Sequence, residues 1–233
     1  MIHIPVKQGT PDWMLLRYGL PTASGAHNII TAKKGDKSTS WDNYIAELIA
    51  ERHAKSMIMD EVKRTGLSEN DIDLTYVVQR IEQKLNRVKT EGMNYGHETE
   101  PEAANAYSLL TDFDLELAGF MMNNAKTAGA SLDRLVKGQK RGVEIKCPFS
   151  FSVHIGYCLA RSIEIDKRPQ LQWQLWVSEL ERIDICSYYP EVRAEIVTAE
   201  RDEEYIQKIS DFHAEFSERL ETRWKEWQNL QIK

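Results

Sequence analysis

Three side chains carry the chemistry that the sequence offers most directly: Asp133, Glu144 and Lys146. They lie on two apolar-edged runs, Thr127–Leu135 and Gly142–Cys147, flanking a Lys/Gly/Gln turn at Val136–Arg141. That is the pattern of a β-hairpin with a medium loop. Side chains alternate along a strand, so Glu144 and Lys146 share one face while Val143 and Ile145 share the other. A neighbouring strand can bring Asp133 beside them. Two carboxylates and a lysine on one sheet face are costly to bury unless they bind something, and a divalent metal with a phosphate suits them. In isolation the same residues also fit a surface hairpin with an ion pair.

The chain has 233 residues and 42% hydrophobic content, enough for one large core, and a single domain over residues 1–233 is expected. No run approaches the roughly 20 apolar residues of a membrane span. The start, MIHIPVKQGTPDW, lacks the apolar stretch of a signal peptide, so the cytosol is the expected compartment. Cys147, Cys158 and Cys186 show no C-x-x-C spacing and read as reduced thiols, against a zinc knuckle or a disulfide framework. A net charge of −6 excludes a uniformly basic surface but not a local basic groove. Basic residues cluster at Lys33, Lys34 and Lys37, at Lys137, Lys140 and Arg141, and at Arg161, Lys167 and Arg168, while acidic ones concentrate between Glu200 and Glu218. Taken singly, each cluster reads as a solvated face.

The elements that must position the hairpin follow from caps and periodicity. Thr10-Pro11 starts a short helix over Trp13–Arg17, and Pro21–Gly25 breaks it. A second short helix begins at Thr22 or Ser24. Lys33–Ser40 is a polar, mobile loop. Helical spacing covers Trp41–Met59, followed by a polar connection at Val62–Asn70 and a long helix from Asp71 toward Thr90. The two glycines and proline of Glu91–Pro101 predict a break, with Pro101 in the first turn of a helix over Glu102–Thr111. Strands are expected at Leu115–Asn123, Thr127–Leu135, Gly142–Cys147, Arg182–Tyr189 and Ala194–Thr198. Helices are expected at Phe151–Arg161, Pro169–Leu180 and Asp202–Leu230. This order predicts an α/β (α+β) fold with a mixed central β-sheet flanked by helices. No G-x-G-x-x-G or G-x-x-x-x-G-K-[ST] supports a nucleotide fold.

An aspartate followed by Glu-x-Lys-Cys-Pro matches the signature of the PD-(D/E)XK nucleases, a restriction-endonuclease-like core. The chain further resembles one branch, the phage lambda exonuclease family, also called viral alkaline exonucleases or YqaJ-type recombinases. The likeness covers roughly residues 10 to 230. Leu16–Ser24 resembles the family's L-R-x-G-x-x-T-A-S block, and Tyr95–Glu100 its aromatic-Gly-x-x-x-Glu block. Ser131-Leu132-Asp133 stands where the family has Ser-Pro-Asp. Gly142–Pro148 resembles G-x-E-x-K-C-P, and Gln170-Leu171-Gln172 with Trp176 resembles its Q-x-Q helix and following tryptophan. Leu132 in place of proline is a departure that changes local backbone rather than ligands.

The resemblance implies roles that physical chemistry makes sensible. Phosphodiester hydrolysis needs a nucleophilic water, neutralisation of phosphate charge and help for the leaving oxygen, and one or two Mg²⁺ ions, with Mn²⁺ a substitute, can supply all three. Asp133, Glu144 and the backbone carbonyl of Ile145 are the implied ligands, with Glu100 adding a carboxylate for a second ion. Glu100 also reads as an ordinary acidic helix start. Lys146 orients or deprotonates the attacking water, or stabilises the phosphorane-like charge. Gln170 hydrogen-bonds water or phosphate. Arg17, Ser24 and Ser131 form the implied pocket for a terminal 5′-phosphate. Met93 occupies the place of an apolar wedge that parts the duplex end, and an ordinary core methionine fits equally well. Trp173, Trp176, Trp224 and Trp227 read as core or interface, and His27, His97 and His154 as structural.

The expected function is a Mg²⁺-dependent 5′→3′ exonuclease acting on double-stranded DNA ends. It leaves a 3′ strand for recombination by a single-strand annealing protein. The resemblance also implies a homotrimeric ring in a bacterial or phage-infected cytoplasm. Its basic residues would line the channel and its acidic ones face outward. The alternatives are another PD-(D/E)XK nuclease, such as a restriction-type endonuclease or a Cas4-like exonuclease, or a DNA-binding module that lost the chemistry.

Overall fold

The computed structural model describes residues 1–68, 71–88 and 90–231. In chain order the first half holds β1 (Ile2–Ile4), α1 (Pro11–Arg17), a 3-10 turn (Ala23–Asn28), α2 (Trp41–Arg64), α3 (Leu74–Lys84) and α4 (Glu91–Thr111). Five short strands follow: β2 (Leu115–Leu117), β3 (Phe120–Met122), β4 (Gly129–Ala130), β5 (Arg134–Val136) and β6 (Arg141–Lys146). The chain closes with α5 (Phe151–Ala160), α6 (Arg168–Ser178), β7 (Arg182–Ser187), β8 (Glu195–Glu200) and α7 (Glu203–Gln231). The mixed α/β architecture and the mixed central sheet are as expected.

The central sheet has the order β2-β5-β6-β7-β8, and β6–β7 is its parallel pair. A parallel pair needs a long crossover, and α5 and α6 provide it. The two faces of β6 therefore meet different helices. Val143 and Ile145 join a core with Ala103, Ala104 and Tyr107 of α4. The opposite face carries Glu144 toward α6. Beyond α6, a larger core gathers Trp173, Leu175, Trp41, Ile45, Leu48 and Phe216 from α6, α2 and α7.

Several expectations need correction. The strands read at Leu115–Asn123 and Thr127–Leu135 are each broken, and their halves join different sheets: β3 and β4 pair in a small sheet with β1, while β2 and β5 belong to the central one. Gly119 allows the first break, with φ +69 and a backbone so close to its neighbour that any side chain's Cβ would come within 2.5 Å of the Ile4 carbonyl oxygen. Ser131–Asp133 forms the second, anchored by the buried Leu132. Asp133 thus lies just before a strand rather than on one. The expected break at Glu91–Pro101 is absent: α4 runs through Gly92, Gly96 and Pro101. Thr90 caps its start by accepting from the Met93 amide, and Tyr107 and Ala103 bury its far half, which outweighs the one hydrogen bond a proline removes. Glu100 accordingly sits in mid-helix, not at a helix start. The helix expected from Asp71 toward Thr90 is shorter, capped by Asp73 and ended near Asn86 at φ 54. Within it Lys89 lies outside the described residues, as do residues 69–70 of the Val62–Asn70 connection, whose beginning is the last turn of α2. The Lys33–Ser40 loop is tied down: Gly35 packs on Tyr205, and Lys37 pairs with Glu215 of α7.

Candidate active site

Asp133 and Glu144 meet where β5 peels away from β6. The ladder between these strands covers Arg134↔Val143 and Leu135↔Gly142. One step further, the Asp133 amide still donates to the Val143 carbonyl (3.2 Å), but its side chain takes over the next position, with Oδ2 accepting from the Ile145 amide at 2.6 Å. The N–H and C=O of one strand residue point to the same side. The Ile145 carbonyl therefore lies on the Asp133 side of β6.

Glu144 is buried and held from three directions. Its Oε1 accepts from Lys146 Nζ (2.7 Å) and Gln170 Nε2 (2.9 Å), and its Oε2 accepts from Gln174 Nε2 (2.8 Å). Glu144 and Lys146 share a face, as strand alternation demands. Gln170 and Gln174 share one through i, i+4 spacing on α6. Glu100 accepts instead from Arg134 Nη1 (2.5 Å), which also reaches the Asp133 carbonyl (2.6 Å).

Burial and neighbouring charge show in the proton affinity of Asp133. Burial, then the charges of Glu144 and Glu100, push Asp133 up to about 8, against the pull of the Ile145 amide and Lys146. Burial favours loss of the Lys146 proton, but the charge and hydrogen bond of Glu144, with Asp133 behind it, raise Lys146 overall. Lys146 is an ammonium group in this state.

A second constellation lies at the end of α1. Arg17 Nη2 donates to Ser24 Oγ (3.2 Å), which is also bonded to Thr22 Oγ1 (3.1 Å). The guanidinium lies 4.2 Å from the centroid of the Trp13 ring, and it forms no ion pair among the described residues. Burial lowers its proton affinity, as expected of a cation short of counter-charge. Two consecutive α2 residues clamp the turn behind it: the Gly19 amide donates to Glu51 Oε2 (2.6 Å), and its carbonyl accepts from Arg52 Nε (2.9 Å).

The two constellations are connected. The Trp13 indole N–H donates to Ser131 Oγ (2.8 Å), and the Ser131 carbonyl accepts from Gln174 Nε2 (2.8 Å), the same group that holds Glu144. Asp133, Glu144, Lys146, Gln170 and Ile145 thus converge, and Arg17, Ser24 and Ser131 stand beside them through Trp13. Glu100 reaches the cluster through Arg134. Met93 is 61% exposed on the first turn of α4, which fits a surface wedge and not a core methionine. His154 is buried, bonded to Ser187 Oγ (2.9 Å) and the Arg193 carbonyl (3.2 Å), a structural role. Gln172, the other half of the Q-x-Q pair, faces away and ties α6 to the Glu200 carbonyl and the Asp202 amide.

Residues 12–181 match the YqaJ-like viral recombinase domain. The chain belongs to this family. The family's fold recurs in solved structures. An alkaline exonuclease, LHK-Exo from Laribacter hongkongensis, is 24% identical with TM-score 0.72, covering 96% of this chain and 98% of its own. The same protein in complex with dAMP matches equally, with 24% identity, TM-score 0.72 and the same coverage. A phage related exonuclease from Haemophilus somnus 129PT is 15% identical with TM-score 0.56, covering 92% of this chain and 99% of its own. No curated protein matches the sequence. The chain thus shares the fold of these exonuclease structures, with Asp133 and Glu144 at the point where its own sheet opens.

The residues present fit a hard divalent cation. Among the described residues no three His, Cys, Asp or Glu side chains form a cage; the oxygens that would hold such an ion are those of Asp133, Glu144 and the Ile145 carbonyl. That oxygen-only set leaves several positions to water, the habit of Mg²⁺. A cation there would relieve the like-charge crowding that raises Asp133. Two buried acceptors beside these carboxylates, Gln8 Oε1 and Gln174 Oε1, have no partner among the described residues. Sequence reasoning missed Gln8, Trp13, Arg134 and Gln174. Only Gln174 left a usable signal, its i, i+4 spacing from Gln170.

Proposed function

We propose that this protein is a one-domain, Mg²⁺-dependent 5′→3′ exonuclease, with Mn²⁺ as a substitute ion. It digests one strand of duplex DNA from a 5′-phosphorylated end and leaves a 3′ overhang. The observation that carries this reading is the coupling of an anionic cluster at Asp133, Glu144 and Lys146 to a counter-charge-poor guanidinium at Arg17. Membership of the viral recombinase family and the alkaline exonuclease fold support it.

In this reading Arg17 and Ser24 receive the terminal 5′-phosphate by charge-assisted hydrogen bonds, with Ser131 close by. The next phosphate then lies over the carboxylates. Water attacks its phosphorus, the P–O3′ bond breaks, and a proton passes to the departing O3′. The shortened strand again ends in a 5′-phosphate, so each turnover recreates the group that Arg17 binds. Asp133, Glu144 and the Ile145 carbonyl would hold the cation. When bound, Mg²⁺ supplies Lewis-acid charge for the scissile phosphate and activation of the attacking water. Lys146, kept protonated by Glu144, donates to the water or to a phosphate oxygen and offsets charge that builds in the transition state. Gln170 orients the same groups. Glu100 would add its carboxylate for a second ion on release from Arg134. The exposed Met93 would part the duplex end.

Delivery of the 3′ strand to a single-strand annealing protein, a homotrimeric ring and a cytoplasmic setting complete the proposal. Lys33, Lys34, Lys137, Arg161 and Lys167, which form no ion pairs among the described residues, are candidates for the DNA-facing side. The deciding experiment incubates linear duplexes with and without 5′-phosphates, and a closed circle, with Mg²⁺. Rapid release of mononucleotides from the phosphorylated end and an untouched circle are expected. Cutting of the circle would sink the exonuclease reading.

A further inference from the structure

Buried polar atoms in folded proteins almost always find partners, and each exception asks for an explanation. Among the described residues the side-chain exceptions are Gln8 Oε1, Gln174 Oε1, Arg141 Nε and Trp227 Nε1. Two of these belong to amides that do the same thing. Gln8 Nε2 donates to Asp133 Oδ1 (3.3 Å), and Gln174 Nε2 donates to Glu144 Oε2 (2.8 Å). Asp133 and Glu144 are therefore each held by one of these two glutamines, and each of the two leaves its carbonyl oxygen unspent.

The amide orientation follows from chemistry. Turning Gln174 over would press its oxygen against both the Ser131 carbonyl and Glu144 Oε2, which are acceptors only. Turning Gln8 over would set its oxygen against Asp133 in the ionised form that binding a cation requires. The acceptor oxygens are thus left facing groups that must themselves donate.

Charge explains why amides serve here. Arg134 on Glu100 and Lys146 on Glu144 neutralise the carboxylates they hold and compete with a cation. A neutral amide fixes a carboxylate oxygen in direction without cancelling its charge. Asp133, free of any ion pair among the described residues, is held by two neutral donors, Gln8 and the Ile145 amide.

We infer that Gln8 and Gln174 are positioning residues of the nuclease site: each aims one metal-binding carboxylate through its NH₂ group and offers Oε1 to a water of the ion's hydration shell. This rests on the reading of Asp133 and Glu144 as ligands of a divalent cation. Mg²⁺ keeps several waters when bound, and those waters need acceptors in a site otherwise rich in bound donors. The pair also reaches both ends of the site. Gln8 comes from the segment before α1, and Gln174 also holds the Ser131 carbonyl beside the phosphate pocket.

The test measures Mn²⁺ affinity of the DNA-free protein by titration calorimetry and by the loss of the free-ion EPR signal. Wild type, Asp133→Asn, Gln8→Ala and Gln174→Met are compared. The last keeps the buried volume of Gln174 while deleting its polar atoms. Both glutamine variants should bind Mn²⁺ about ten- to a hundredfold more weakly, the usual cost of removing a group that orients a ligand. The binding of Gln8→Ala to a 5′-phosphorylated duplex in EDTA should stay within about twofold, and the cleavage rates of both variants should recover as Mn²⁺ is raised. Unchanged Mn²⁺ affinity in Gln8→Ala, alongside weakened binding in Asp133→Asn, overturns this inference alone. If Gln174→Met does not fold, Gln8→Ala decides. Mn²⁺ affinity indifferent to Asp133→Asn overturns the metal-site reading, and the inference with it.

Discussion

The carboxylate cluster on β6 and the guanidinium pocket on α1 handle buried charge in opposite ways. Glu144 is gripped by an ammonium and two amides, and Glu100 by Arg134. Arg17 has a hydroxyl and the face of an indole, and no counter-ion among the described residues. The first region gathers more carboxylates than its own lysine offsets, and burial, then the charges of Glu144 and Glu100, raise Asp133 there. The second holds positive charge in reserve. In the proposed reading a cation would complete the one and an anion the other, and DNA with its accompanying metal would bring both. Their link through Trp13, Ser131 and Gln174 means that neither can shift without moving the other's supports.

The largest break in this comparison should come from Lys146→Ala. Loss of the ammonium should lower the single-turnover cleavage rate by about 10²–10⁴-fold while leaving duplex binding in EDTA measurable. A fully active variant would remove Lys146 from the chemistry.

Arg17→Ala should act more narrowly. The rate constant kcat/KM on 5′-phosphorylated ends should fall about ten- to a hundredfold, the worth of a charge-assisted hydrogen bond, and ends with a 5′-hydroxyl should change little. Equal losses on both ends would show that the pocket does not read the phosphate.

The smallest effect is thermodynamic. Asp133 binds its proton more tightly in the fold than in the unfolded chain, where its value is the ordinary 3.8. Its contribution to stability is therefore fully present below about 4 and is lost as the pH rises through about 8. Urea unfolding of the chelator-treated protein should show stability declining over this range. Asp133→Asn should flatten the decline, and saturating Mg²⁺ should oppose it. A decline equally steep in Asp133→Asn would assign the effect to other groups.

The site was partly legible in the sequence, for identifiable reasons. Alternation along β6 put Glu144 and Lys146 on one face because both of its neighbours fix the pleat. The same alternation could not say that the run before it divides between two sheets, because register within a strand carries no information about which sheet it joins. Gly92, Gly96 and Pro101 read locally as breakers, yet α4 passes through them because packing of Ala103 and Tyr107 on the sheet outweighs local propensity. That placed Glu100 in mid-helix, where Arg134 meets it. Gln174 was hidden by a neighbouring pattern, since Q-x-Q draws attention to Gln172, which faces away. Gln8 was out of reach: its partner lies 125 residues later, a contact made only by the completed fold.

The 2.6 Å bond from the Ile145 amide to Asp133 Oδ2 has a spectroscopic consequence. Short bonds to a carboxylate deshield the amide proton strongly, and this one terminates on the oxygen pair that an arriving ion would engage. The backbone resonance of Ile145 is therefore a built-in gauge of the site. In the proposed reading its chemical shift would follow the electron density on Asp133, without any added probe, as ions, DNA and product come and go.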